Sequence, residues 1–430
     1  MATVRNILVV LISASPVILL WDGLIMQGLV AGIVAVALVV TTRTLRPGET
    51  GFLISVIRPL IVIAAVPALW VLIQVLPLRV LVHPIWKSAE VGLQHPIAGI
   101  MSVDPGASII ALGQYLSVTA VALLSAAIAV DRQRAEWILF ALTAAVTVIA
   151  LIVLTHDLFF PGAWLAAFSR VQAVDCTAVG TIIASAACIR MIERHEARRA
   201  SPPRSMPILS TFMACGAALV ICGAALMLGA KREALFATGY GLFAFACMMI
   251  VRRFGLGLLA VTGMAVPALG IAVLLVAVHP PDRGTNVLLA FAGEAPPSLI
   301  ALSEHMLDDA PLVGTGAGTF GAVAPIYREM DDPPSGSVAA TAAGAFAIEL
   351  GQPMLWLITA TTVGFILMLL RASLQRGRDS FYSAMGGSCL ITLLLLAFTN
   401  AGLLGTATSL IAAAALGLGF AQSKSRTVTF

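Results

Sequence analysis

The chain alternates long apolar stretches with short polar breaks, at intervals close to the length of a membrane-crossing helix. A spanning helix needs about 20 mostly apolar residues. Twelve stretches read this way: Ile7–Leu20, Leu24–Val40, Pro59–Leu76, Ala107–Val130, Ala135–Leu154, Cys176–Met191, Pro207–Leu228, Ala234–Val251, Phe254–Val278, Pro353–Leu370, Phe381–Phe398 and Gly402–Phe420. The sixth is short, and an earlier start would draw Asp175 into the span. Three interruptions are long. Residues 77–106 carry Leu81, Ile85, Trp86 and Val91 in a pattern that predicts a helix lying in the interface. Residues 155–175 form a second polar connection with Phe159, Phe160, Trp164 and Phe168 at its edge. The longest runs from His279 to Gln352, contains no apolar run able to cross a bilayer, and separates the ninth and tenth spans. The expected organisation is therefore a helical bundle over 1–278, a large loop over 279–352, and three further helices with a tail over 353–430.

Composition agrees. The chain of 430 residues is 60% hydrophobic and 11% charged, with mean hydropathy +1.01, where a soluble domain has about 25% charged residues. The expected class is an all-α polytopic membrane protein. A net charge of +4 with no Lys/Arg run interleaved with aromatics speaks against nucleic acid as a partner. The six cysteines lie in or beside apolar runs without a CxxC pair, as small buried hydrophobes do. The first two spans, joined at Trp21-Asp-Gly23, read as a helical hairpin more than as a cleaved signal peptide.

Charge placement sets orientation. With the N-terminus in the cytoplasm, twelve alternating spans put 18 of the 25 Lys and Arg on the cytoplasmic side, as the positive-inside rule requires. Both termini are then cytoplasmic and the large loop faces outward. The outer cations, Arg79, Lys87, Arg170, Lys231, Arg232, Arg283 and Arg328, run against that bias. Arg grips phosphate through two parallel hydrogen bonds. Arg170, Arg232, Arg283 and Arg328 converging on one outer cavity would suit a lipid-linked pyrophosphate; singly, each could be a helix anchor or the partner of a neighbour such as Glu233. The spans are nearly free of ionisable groups, which argues against an ion-coupled transporter.

Within the loop, Pro311-Leu-Val-Gly-Thr-Gly-Ala-Gly-Thr-Phe320 matches neither dinucleotide nor P-loop glycine patterns. Pro311, Gly314, Gly316 and Gly318 predict a tight turn packed against helix ends, with a donor nest for an anion as second choice. His305 lies in a short amphipathic helix just ahead of that turn and is the candidate general base, although a lone His there is commonly just solvated. No metal-ligand spacing is present.

Together these residues resemble the O-antigen ligase and O-antigen/exopolysaccharide polymerase superfamily. Ser303-Glu-His-Met-Leu-Asp-Asp-Ala-Pro-Leu-Val-Gly-Thr-Gly-Ala-Gly-Thr-Phe320 and Val323-Ala-Pro-Ile-Tyr-Arg328 look like the opening of its periplasmic loop, and Glu349-Leu-Gly351 like its close. Leu76-Pro-Leu, His83-Pro-Ile-Trp86 and Ser102-Val-Asp-Pro-Gly-Ala107 resemble its first periplasmic segment. Arg232 is similar to the Arg of a family turn. Arg170 sits where the family has another periplasmic Arg, and Asp175 where it usually has Asn.

The resemblance implies a GT-C-like, metal- and cofactor-free glycosyltransferase of the bacterial inner membrane. Such an enzyme acts on undecaprenyl-pyrophosphate-linked oligosaccharide among membrane lipids, alongside chain-length regulator or export proteins. Outer arginines would hold the pyrophosphate and a His would activate the acceptor. The family's His-Asn pair is missing, since the matching stretch reads Val338-Ala-Ala-Thr-Ala-Ala343. That favours a polymerase over a ligase, with a non-catalytic flippase or export partner as the alternative from another class.

Overall fold

The computed structural model describes residues 2–44, 47–78, 82–95, 99–159, 169–199, 207–254, 286, 288–293, 295–328, 338–375 and 379–423. Among them every regular element is helical. In chain order these are α1 (Ala2–Ser13), α2 (Ser15–Leu20), α3 (Leu24–Thr44), α4 (Pro47–Val75), α5 (Pro84–Leu93), α6 (Pro105–Ala129), α7 (Arg132–Phe159), α8 (Arg170–Arg199), α9 (Pro207–Gly229) and α10 (Arg232–Arg253). After the ninth expected span come α11 (Pro297–Asp309), α12 (Phe320–Tyr327), α13 (Ala342–Leu350), α14 (Gln352–Gln375), α15 (Ser380–Thr399), a 3-10 turn (Gly402–Leu404) and α16 (Thr406–Ala421). Apart from Phe254, the ninth expected span lies outside the described residues, as do residues 279–285, with Arg283, and 287, 294 and 329–337 of the insert.

Ten helices among the described residues are long and apolar enough to cross a membrane, and α16 is a shorter apolar helix. The chain is a multi-pass membrane protein. Side chains such as Ile25 on α3, Leu69 on α4, Val220 on α9 and Leu367 on α14 are apolar and exposed. A surface so greasy is stable only against lipid. By contrast, α8 and α15 are mostly buried and form the centre of the bundle.

Several expected boundaries move. The first span is broken into α1 and α2 at Ala14, where Pro16 lacks an amide donor. The third begins at Pro47 rather than Pro59 and runs through Arg58, Pro59 and Pro67. The sixth begins at Arg170, and Asp175 is fully buried within it. The helix expected within residues 77–106 is α5, and the amphipathic helix bearing His305 is α11.

Small residues let the central helices touch. A side chain at Gly417 of α16 would sit 2.2 Å from the Ala122 carbonyl of α6. The Gly386 and Gly419 backbones meet between α15 and α16 in the same way. Without a hydrophobic drive between helices in lipid, such close packing holds them together.

The bundle has two distinct polar ends. At the end away from the insert, the buried Arg190 of α8 pairs with Glu136 of α7 through Nε at 2.7 Å, and with Asp379 at 3.5 Å. Arg132 reaches Asp379 from α7 at 2.9 Å. At the insert end, Asp22 ties three elements together. It accepts from Gln172 Nε2 on α8 at 3.1 Å, from the Thr406 amide of α16 at 3.1 Å and from Thr406 Oγ1 at 2.7 Å. Beside it, Asn400 Nδ2 donates to the buried Asp175 at 2.9 Å. The insert has its own small core, including Leu289, Ile300, Met306, Phe320 and Ile348, seated on Leu355 of α14 and Phe398 of α15.

Candidate functional site

The glycine stretch is the hinge pin of the insert. Gly314, Gly316 and Gly318 have φ of +83°, +115° and +74°, and Gly351 has +91°. That region is open to glycine and costly to other residues. Thr315 N donates to the Ile348 carbonyl at 2.9 Å and Gly316 N to the Glu349 carbonyl at 3.0 Å, joining the turn to the end of α13. Fully buried Gln74, from the last turn of α4, clamps the same junction. Its Nε2 donates to the Glu349 carbonyl at 3.0 Å and its Oε1 accepts from Ala317 N at 3.1 Å. Val103 N donates to the Thr315 carbonyl at 2.8 Å, and Ser108 Oγ to the Ala317 carbonyl at 2.9 Å.

The donor nest of this turn is filled by the chain itself. Glu349 Oε2 accepts from Gly318 N at 2.8 Å and Oε1 from Phe320 N at 3.0 Å. Burial pushes the Glu349 carboxyl up to about 7, against the two amide bonds, which pull it down. The expected tight turn is present; its amides hold an internal carboxylate in the place an external phosphate would take.

Beside the turn lies a cavity of about 270 Å³ between α5 and the insert. Its polar lining is His83, Asp309, Thr315 and Tyr327; Ile85, Met306 and Ile326 are among its apolar walls. Two bonds pin α5 as one wall: His83 N to the Ile100 carbonyl at 3.0 Å and Trp86 Nε1 to the Ser102 carbonyl at 3.0 Å. His83 caps α5, its Nδ1 accepting from Ile85 N at 3.3 Å, so the proton is carried on Nε2. Burial lowers the pKa of His83, which keeps it neutral. Burial first, then the adjacent Asp309 carboxylate, raises that of Tyr327. His305 is exposed on α11 and is not in the lining; nor are Arg170, Arg232 and Arg328.

Two of the expected arginines share a different corner. Arg170 is the first residue of α8 and Arg232 the first of α10. Arg170 Nη2 lies 3.1 Å from Asp157 Oδ2, at the end of α7. A side chain on Gly229, three residues before Arg232, would touch that same Asp157 oxygen at 3.2 Å. Asp157 also faces His156, whose Nδ1 is 3.3 Å from its Oδ1. Glu233 follows Arg232 and abuts Gly293 of the insert, which places the insert against this corner. Both arginines are exposed, and an exposed pair such as Arg170–Asp157 adds little stability. Arg328 caps the end of α12, half-buried, next to Tyr327 of the cavity. Arg283 lies outside the described residues.

Sequence reasoning did not single out Asp157, Gln74 or Asp22. Each lies at a helix end and has a partner far along the chain: Arg170 for Asp157, Ala317 for Gln74 and Thr406 for Asp22. The chain matches no protein-family model and no curated protein.

Proposed function

We propose that this chain is a polysaccharide polymerase of the bacterial inner membrane, building exopolysaccharide or O-antigen. It would transfer glycan between undecaprenyl-pyrophosphate carriers at the periplasmic face, with both termini cytoplasmic. The observation that carries this reading is the shared corner of Arg170 and Arg232 beneath the insert. The start of α8, with Arg170 on Asp157, and Gly229 just ahead of α10 both lie beside Asp157, and helix starts carry partial positive charge; in this reading both guanidinium forks reach one ligand there. A diphosphate is the ligand such a corner suits, and Asp157 and Glu233 would keep the forks aimed while it is empty. Arg328, and Arg283 where the insert begins, are the further phosphate contacts of this reading. The loop residues that resemble the polymerase superfamily, Ser303 to Phe320 and Glu349 to Gly351, support it as well.

For the base, His305 is the candidate from its place ahead of the glycine turn, since the position that matches the family His lacks one, but His156 stands in the arginine corner. The Asp157 carboxylate facing its Nδ1 would orient the ring, as the carboxylate partner of a general base does. The test is complementation of a polymerase-null strain. Arg232→Ala should abolish polymer while the protein accumulates normally. His156→Gln should lower the extension rate at least about a hundredfold if it is the base, and His305→Ala little. Polymer of unchanged length from Arg232→Ala would rule the reading out. The reverse order of the two His variants would return the base to His305.

A further inference from the structure

The cavity between α5 and the insert stands apart from the arginine corner, and its chemistry differs. Among the described residues no Lys or Arg is in its lining, and Asp309 is. Such a lining is a poor match for a phosphate or an anionic lipid head group. A single carboxylate is too few oxygens for a cation cage. What remains is a mixed surface with aliphatic walls, one phenol ring, and a few polar groups of both senses. Asp309 accepts, from the Tyr327 hydroxyl as well, whose oxygen can still accept; neutral His83 donates through Nε2; the Thr315 hydroxyl is already bonded to Thr319 and the Ile348 carbonyl. A pyranose has matching faces, with apolar C–H patches for ring and aliphatic contact and a rim of hydroxyls for the polar groups. At about 270 Å³ the space lies just below the usual 300–1,000 Å³ of small-molecule sites. It suits one sugar, not an oligosaccharide.

We infer that this cavity is a glycan subsite that holds a single pyranose unit of the lipid-linked chain, gripped by Asp309, Tyr327 and His83. The inference rests on the polymerase reading for the identity of the glycan, but its binding chemistry does not depend on the arginines. The subsite would position the chain while the reacting bond lies elsewhere. Asp309, Tyr327 and His83 are accordingly positioning residues.

The test uses the full-length protein in nanodiscs. Saturation-transfer NMR would be run with the methyl glycosides of glucose, galactose, mannose and N-acetylglucosamine. At least one should receive saturation from the wild type. Asp309→Asn removes a charged hydrogen bond and should weaken that binding at least about tenfold. Tyr327→Phe should weaken it less. Ile326→Trp, at an exposed position of the cavity wall, should block it without disturbing the core. Arg232→Ala should leave it unchanged. In parallel, a fluorescent polyprenyl pyrophosphate would be titrated into the same proteins.

Sugar binding that is lost in Asp309→Asn and Ile326→Trp supports the subsite, whether or not the pyrophosphate binds. No transfer to any glycoside, or equal transfer in those two variants, overturns it. Arg232-dependent pyrophosphate binding alongside absent sugar binding would then leave the polymerase reading standing. Absent pyrophosphate binding would remove that reading independently.

Discussion

Replacing Glu349 by Gln isolates the keystone of the insert. The two carboxylate oxygens accept from Gly318 N at 2.8 Å and Phe320 N at 3.0 Å. The Gln amide has one oxygen, so its NH₂ must face one of those amides. Both amides are open to water at least in part, so the lost bond costs about 0.5–1.5 kcal/mol. Against this, Gln has no charge to desolvate. Burial raises the Glu349 carboxyl from 4.5 to about 7 in the folded protein. Between those values the folded chain keeps a proton that the unfolded chain has released. Stability therefore falls as pH rises through that window, at about 1.4 kcal/mol per unit, or about 3 kcal/mol in all, and is level above it. The Gln variant lacks this slope. It should be the less stable protein near pH 4.5 and should draw level with, or pass, the wild type by pH 8. The assay is thermal unfolding of both proteins in one detergent from pH 4.5 to 8.5, read as the difference in Tm. Other titrating groups cancel in the difference. A difference that is flat with pH would refute the reasoning, because Glu349 would then titrate alike folded and unfolded.

Two further outcomes follow from the packing. Gly316→Ala must adopt φ near +115° and put a Cβ 2.3 Å from Ser102 Oγ and 3.0 Å from its Cα; a loss of about 2 kcal/mol or more is expected by thermal unfolding. Gly113→Ala on α6, where an added Cβ meets nothing within 4 Å, should be neutral or slightly stabilising by the same measurement. At the opposite end, Arg190→Ala strips Glu136 of its closest cation and should cost about 3–5 kcal/mol. The paired change Arg190→Met with Glu136→Leu should cost much less, as measured by melting in the same detergent.

In the proposed reading the arginine corner and the cavity divide the work that the sequence suggested for one place. The insert touches both, through Gly293 against Glu233 and through α11 and α12 along the cavity. A loop placed so could hold two parts of one amphiphilic substrate. The Gln74 and Glu349 clamps explain how such an insert stays seated. Gln74 fastens the turn to α4 through its side chain, the Glu349 carboxylate holds Gly318 N and Phe320 N, and backbone bonds from Thr315 N and Gly316 N join the turn to the end of α13.

Much of this protein was legible before its structure. Spans of about 20 apolar residues with Arg-rich breaks define a membrane bundle, because lipid leaves a chain few other ways to satisfy its backbone. The helix at Pro84–Leu93, the helix carrying His305 and the glycine turn were likewise readable, since periodicity and glycine chemistry are local. Boundaries were less so: α4 begins well before Pro59 because helix hydrogen bonding continues through polar residues that a hydropathy pattern treats as breaks. What only tertiary structure decided was who meets whom. Glu349 fills the nest that composition would leave open to phosphate, Asp157 gathers His156 and Arg170, and His83 rather than His305 faces the cavity. Those pairings depend on which helix ends the bundle brings side by side, and a single chain records its own local preferences but not the neighbours it will acquire on folding.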